Sequence, residues 1–123
     1  MPAQDEITLT LPRDREFQRV AHLVLGGLAL RLELTIETLE DLQLALSAIL
    51  DRADLDAEGQ VTVTMTLRDG TLQARIGPVD LGDELGREDD DSLSLHRLLF
   101  AVVDDARVDG EYVVLTKKVE ARG

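Results

Sequence analysis

The stretch Asp41-Leu42-Gln43-Leu44-Ala45-Leu46-Ser47-Ala48-Ile49-Leu50-Asp51-Arg52-Ala53 decides how this chain is read. Together with Leu39, its residues Leu42, Leu46, Ile49, Leu50 and Ala53 recur at helical spacing and make one apolar stripe. Thr35 stands at the N-cap, and Glu37 puts an anion in the first turn, where the helix dipole favours it. The spacing predicts a helix running to about Asp54, ended by the polar loop Asp54 to Gln60.

Immediately downstream, Val61, Val63, Met65 and Leu67 alternate with Thr62, Thr64, Thr66 and Arg68. Asp69-Gly70 turns the chain, and Leu72, Ala74 and Ile76 then alternate with Thr71, Gln73 and Arg75. An Asp-Gly pair between alternating runs predicts a hairpin, because both turn positions need positive φ. After Gly77-Pro78 the segment Asp80 to Asp91 is acidic and punctuated by glycine, which reads as a loop. Ser92 is placed to cap a third helix through about Ala106, with Leu95, Leu98, Leu99, Val102 and Ala106 inward. Asp109-Gly110 marks another turn, and Glu111 to Glu120, containing Tyr112-Val113-Val114-Leu115, reads as a last strand.

Upstream, Ile7, Leu9 and Leu11 alternate with Thr8 and Thr10 in a half-buried strand that stops at Pro12. A helix is predicted from about Asp14 to Leu32, with Phe17, Val20, Ala21, Val24 and Leu28 on its core face. Leu23, Gly27 and Leu30 make a second stripe, and a helix apolar on two sides is either deeply buried or committed to a partner. The order is strand, helix, helix, hairpin, helix, strand. Strands with one apolar and one Thr-rich face describe an α+β two-layer sandwich, a mostly antiparallel sheet with helices on one face. The expected organisation is one domain spanning residues 1–123.

Composition narrows the function. A net charge of −12 repels phosphate backbones and anionic membranes, so neither nucleic acid nor membrane is an expected partner, and a basic protein surface is the better match. Phe17, Phe100 and Tyr112 are the only aromatics, too few for base stacking. There is no cysteine, which removes disulfides and thiolate sites. Met1 to Glu6 is polar and acidic, unlike a signal peptide, and the apolar stretch Val20 to Leu32 is too short to span a bilayer, so a cytoplasmic protein is expected.

The helix around Leu44-Ala45-Leu46-Ser47 resembles the nucleotide-binding helix of the anti-sigma-factor serine kinases, which runs roughly Asp-Leu-x-Leu-Ala-Val-Ser-Glu-Ala-x-x-Asn-Ala. The Phe-x-x-Val helix start at Phe17, the run Leu99 to Val108 and the closing Val114-Leu115-Thr116-Lys117-Lys118 resemble further elements of that family. The resemblance implies the compact histidine-kinase-type ATPase fold, a homodimer, and a partner that is a sigma factor or an anti-sigma-factor antagonist. It also implies ATP as the nucleotide, a Glu as general base and an Asn holding magnesium.

Those two catalytic positions are Ala48 and Arg52 here. Arg supplies no oxygen to a metal, though it can meet a phosphate directly. Asp51 points about 100° away around the helix. The family's adenine-reading Asp-x-Gly-x-Gly has its counterpart in Asp80-Leu81-Gly82, with Glu84 at the second glycine, while strict register after Ile76 puts Gly77 at the Asp. Asp80 also reads as a turn residue. The phosphate-cradling Gly-x-Gly is Ser92-Leu93-Ser94, preceded by Glu88, Asp89, Asp90 and Asp91, which oppose a triphosphate. The expectation is therefore a regulatory interaction domain with no catalytic residue, no resident cofactor and weak or no ATP binding. The alternative is an active kinase acting on an antagonist. A degenerate nucleotide site would comprise Arg52, Asp80, Gly82, Ser92 and Ser94. A partner or dimer surface would comprise Arg19, Leu23, Gly27 and Leu30.

Other constellations are plain. Asp54-x-Asp56-x-Glu58-Gly59 starts like a calcium loop, but its twelfth position is Met65. His22 and His96 lie on separate helices and lack metal-ligand spacing, and Ser47, Ser92 and Ser94 sit in no nucleophile elbow. No metal site is expected.

Overall fold

The computed structural model describes residues 4–12, 15–31, 33–52, 59–79 and 94–119. Strand β1 (Gln4–Pro12) leads through a 3₁₀ turn (Arg15–Phe17) into helix α1 (Gln18–Arg31), followed by α2 (Ile36–Arg52). Strands β2 (Gln60–Arg68) and β3 (Thr71–Gly77) form the hairpin; α3 (Leu95–Val102), β4 (Asp105–Asp109) and β5 (Tyr112–Lys118) complete the described chain. The sheet is antiparallel throughout, in the order β1-β2-β3-β5-β4. Among the described residues the architecture is α+β, with five strands and three α-helices.

Alternation in the sequence becomes two chemically distinct faces. Leu11, Val61, Val63, Met65, Leu72, Ala74, Ile76, Val113 and Leu115 point to the helices and join Ala21, Leu25, Leu28, Leu42, Ala45, Leu46, Ile49, Leu95 and Leu99 in one core. Leu9 opposes Val63 and Val63 opposes Ile76, which fixes the register, since a slip of one residue would turn every apolar side chain outward. The opposite face carries the threonines: Thr10 and Thr62 share a hydroxyl hydrogen bond of 3.1 Å across β1 and β2. The Asp-Gly turn is formed as expected, with Asp69 and Gly70 both at positive φ.

The starts of α2 and α3 are capped. The Thr38 backbone N–H donates to Thr35 Oγ1 at 3.1 Å, and the Arg97 N–H donates to Ser94 Oγ at 3.2 Å. The described α3 thus has Ser94 as its N-cap; Ser92 lies outside the described residues.

Two expectations are corrected. The third helix ends at Val102 and does not reach Ala106, because Val103 is extended (φ −126°, ψ 163°) and Asp105–Asp109 pairs with β5 as a fifth strand. Ala106 is buried, but from a strand. The core face of α1 is built on Ala21, Leu25 and Leu28, whereas Phe17 and Val20 are 38% and 37% exposed. Leu23 and Leu30 are open to solvent at 76% and 73%, so burial does not account for the second stripe.

Lys117 ties three elements together at the end of the sheet. Its side chain is 15% exposed, and its Nζ donates to the Val102 carbonyl at the C-terminus of α3 (2.6 Å) and lies 3.3 Å from Asp41 of α2. A cation on the last carbonyls of a helix meets both an orphan acceptor and the negative end of the dipole.

Candidate functional site

Helix α2 carries Ala48 and Arg52, the two positions that the sequence resemblance sets against a general base and a metal ligand. Ala48 is 5% exposed and belongs to the core, and Asp51, the neighbouring carboxylate, faces solvent. Arg52 is half-buried in the last turn of α2, and its Nη1 donates to the Ala48 carbonyl at 3.1 Å. The guanidinium thereby sets a cation on the last turn of its own helix, where the dipole favours one. No group with general-base chemistry extends from position 48.

Ser94 is the second described member of the degenerate nucleotide set, and its hydroxyl oxygen is engaged as the N-cap of α3. Asp80, Gly82 and Ser92 lie outside the described residues. The alternative register, with Gly77 at the adenine-reading Asp, meets a steric barrier. A Cβ on Gly77 would sit 2.6 Å from the Glu111 carbonyl oxygen and would run into the Tyr112 ring. No side chain fits there while the Val79 N–H donates to that same carbonyl at 2.7 Å.

On the outer side of the helical layer, Arg19 and Leu23 of α1 line a groove of about 520 Å³ with Gln18, His22, Gln43 and Ser47. His22 Nε2 and Ser47 Oγ are 2.7 Å apart and link α1 to α2. Gly27 and Leu30 continue along α1, both exposed, four and seven residues beyond Leu23. The structure thus brings Arg19 and Leu23 into one concavity and leaves Gly27 and Leu30 on the adjoining helix surface. Sequence reasoning named neither Gln18 nor Gln43 as a site residue, and it set His22 and Ser47 aside as unconnected residues. Only the packing of two helices brings His22 and Ser47 together, and nothing in their spacing announces it. Among the described residues no cluster of His, Asp and Glu has metal-binding geometry, and no helix is long and apolar enough to cross a membrane.

No protein-family model matches the chain. Its curated relatives carry the name serine-protein kinase RsbW. That of Listeria monocytogenes serovar 1/2a is 28% identical over 142 residues, covering 96% of this chain and 90% of the relative. That of Bacillus mycoides is 22% identical over 139 residues, covering 94% and 86%. Among solved structures, the RsbU and RsbW domains of Rv1364c from Mycobacterium tuberculosis match with a TM-score of 0.68 at 17% identity. That match covers 96% of this chain and 34% of that one, and it is a likeness of fold. The strand order, the helices on one face and the near-complete alignment with RsbW agree: the chain is similar to serine-protein kinase RsbW over nearly its whole length, and its α+β architecture is that of the compact histidine-kinase-type ATPase fold.

Proposed function

We propose that this anti-sigma-factor-like regulator acts as a protein-interaction domain, without catalysis and with weak or no ATP binding. Its partner is a sigma factor or an anti-sigma-factor antagonist, and it works as a homodimer. One observation carries the reading: the helix that supplies base and metal ligand in the family presents a buried Ala48 and an Arg52 folded onto the Ala48 carbonyl. Proton abstraction and magnesium coordination both lose their groups at once. The exposed Leu23 and Leu30, with Arg19 beside Leu23 in the groove, offer apolar area and a cation to a partner.

Titration with a fluorescent ATP analogue, with and without magnesium, tests the reading. No saturation up to about 1 mM nucleotide, the weak end of the affinity scale, is the expected outcome. Saturation in the micromolar range that falls on Arg52→Ala would overturn it.

The alternative is an active kinase phosphorylating an antagonist. It is favoured by the name serine-protein kinase borne by relatives aligned over nearly the whole chain. Transfer of labelled phosphate from ATP to a purified antagonist would establish it.

A further inference from the structure

Strand β1 is a long and regular sheet edge. It pairs with β2 through nine consecutive residues without a bulge, and among the described residues no strand lies on its other side. Residues 5–11 hold no Lys, Arg or Pro, the residues that commonly guard an open edge. The opposite edge, β4, is guarded: it is five residues long and carries Asp105, Arg107 and Asp109 in alternation. Ile7 and Leu9 pack on the core yet stay half-buried, with a strand neighbour on one side only.

Helix α1 lies toward the same edge. Helix α2 packs against both α1 and α3, and α3 packs against β4, which leaves α1 on the β1 side. His22 turns to α2 through its contact with Ser47. Val20, Val24 and Gly27, at i, i+4 and i+7, form the flank turned away from it. Phe17 and Val20 satisfy the apolar spacing of this segment but are 38% and 37% exposed, and a Cβ on Gly27 would meet nothing within 4 Å.

We propose that two copies of the chain join at this edge: β1 pairs antiparallel with β1 of a second copy, centred on Thr8, so that two five-stranded sheets become one with both α1 helices on the same face. The inference rests on the homodimer proposed above and says where its two-fold axis lies. The run Glu6-Ile7-Thr8-Leu9-Thr10 is close to its own complement when reversed. Centred on Thr8, it sets Ile7 against Leu9 of the second copy, Thr8 against Thr8, and Glu6 against Thr10. Strand β2 already offers β1 the same chemistry on the other side: Met65 to Ile7, Val63 to Leu9, Thr64 to Thr8 and Thr66 to Glu6. There the Thr8 and Thr64 hydroxyls lie 3.5 Å apart, and Thr66 Oγ1 donates to Glu6 Oε2 at 3.4 Å. The second copy offers Glu6 a hydroxyl in the same way, and within this run no carboxylate faces another. A specific dimer buries roughly 1,200–2,000 Å² in all, more than one strand pair supplies. The exposed Phe17 and Val20 of α1, at the same edge, add apolar area to it. Net charge of −12 on each copy opposes their approach, so the contact tightens as salt is added.

The chain has no cysteine, so Thr8→Cys introduces a single thiol at the proposed two-fold axis. Directly opposed strand residues have Cα atoms about 4.5–5.5 Å apart, within disulfide reach, whereas Thr10 and its counterpart would be offset by about 13 Å along the strands. Under mild oxidation Thr8→Cys is expected to form a covalent dimer, and Thr10→Cys is expected to stay uncrosslinked. Thr8→Lys, at an exposed position, is expected to keep the wild-type circular dichroism and to weaken dimerisation in sedimentation by roughly tenfold or more, through like charges set face to face. Wild type that sediments as a monomer up to about 1 mM overturns the homodimer and this inference together. A wild-type dimer in which Thr10→Cys cross-links as readily as Thr8→Cys, or in which Thr8→Lys leaves dimerisation unchanged, overturns the β1 contact alone.

Discussion

The Arg75 guanidinium lies over the ring of Tyr112, its central carbon 4.4 Å from the ring centroid, and the same guanidinium donates to Asp109 Oδ2 at 2.8 Å. One side chain of β3 thereby fastens both sides of the β4–β5 hairpin on the helix-free face of the sheet. The hydrogen bond from Arg75, followed by its charge and that of Arg107, holds the Asp109 carboxyl below the usual carboxylate range.

A pH dependence follows from that lowered value. A carboxylate with a depressed folded-state pKa contributes stability that is fully present above the unfolded value of about 3.9 and is lost as pH falls through the folded one. Asp109→Asn is therefore expected to melt below wild type at neutral pH. The two melting curves should converge as the pH drops below the ordinary carboxylate range. A constant gap down to the acid limit would show that the Asn variant fails for another reason.

Gly77→Ala is expected to destabilise the fold. The new Cβ would meet the Glu111 carbonyl at 2.6 Å as well as the Tyr112 ring, and backbone cannot swing aside as a long side chain can. Overpacking of this kind costs about 1–3 kcal/mol. Urea unfolding should show a lower midpoint with an unchanged slope.

Lys117→Met keeps the largely covered stem and removes the amine. The Val102 carbonyl and the Asp41 carboxylate lose a donor together, at a cost of roughly 1–3 kcal/mol for groups left partly buried without a partner. Hydrogen exchange should accelerate in the last turn of α3, and an effect confined to global melting would argue against the capping role.

Leu23→Asp separates surface from core. At 76% exposure the substitution should change stability by no more than about 0.5 kcal/mol. Partner capture and self-association, followed by pull-down and by sedimentation, are expected to fall. A variant that remains dimeric and keeps its partner would remove Leu23 from the interface.

How far the sequence announced this molecule depended on how local each signal was. The hairpin was legible in full, because alternation and the Asp69-Gly70 turn settle register between neighbouring strands. Thr35 announced α2 for the same reason. Strand β4 was not legible: Leu98, Leu99, Val102 and Ala106 continue a helical spacing, while Asp105-Ala106-Arg107-Val108-Asp109 offers a strand two apolar residues. Only pairing with β5 across the Gly110 turn decides between them. On α1, Phe17 and Val20 satisfied periodicity, but the 3₁₀ turn before Gln18 shifts the helix start and Leu25 takes the core position. At the candidate site, Ala48 and Arg52 could be placed from the helical motif, whereas the His22–Ser47 contact and the closed space at Gly77 are products of tertiary packing.

The strand order sets a sequence of events for assembly. Strand β5 is the last of the five along the chain, yet it occupies an interior position between β3 and β4. The hairpin of β2 and β3 closes over a short separation, but its β3 edge has no neighbour until residues 112–118 have been synthesised and docked. Until then a row of backbone amides and carbonyls, beside the apolar side chains of β3, is open to any passing strand. Completion of the sheet is thus a late and long-range step, and the nascent chain is most vulnerable to mispairing just before it.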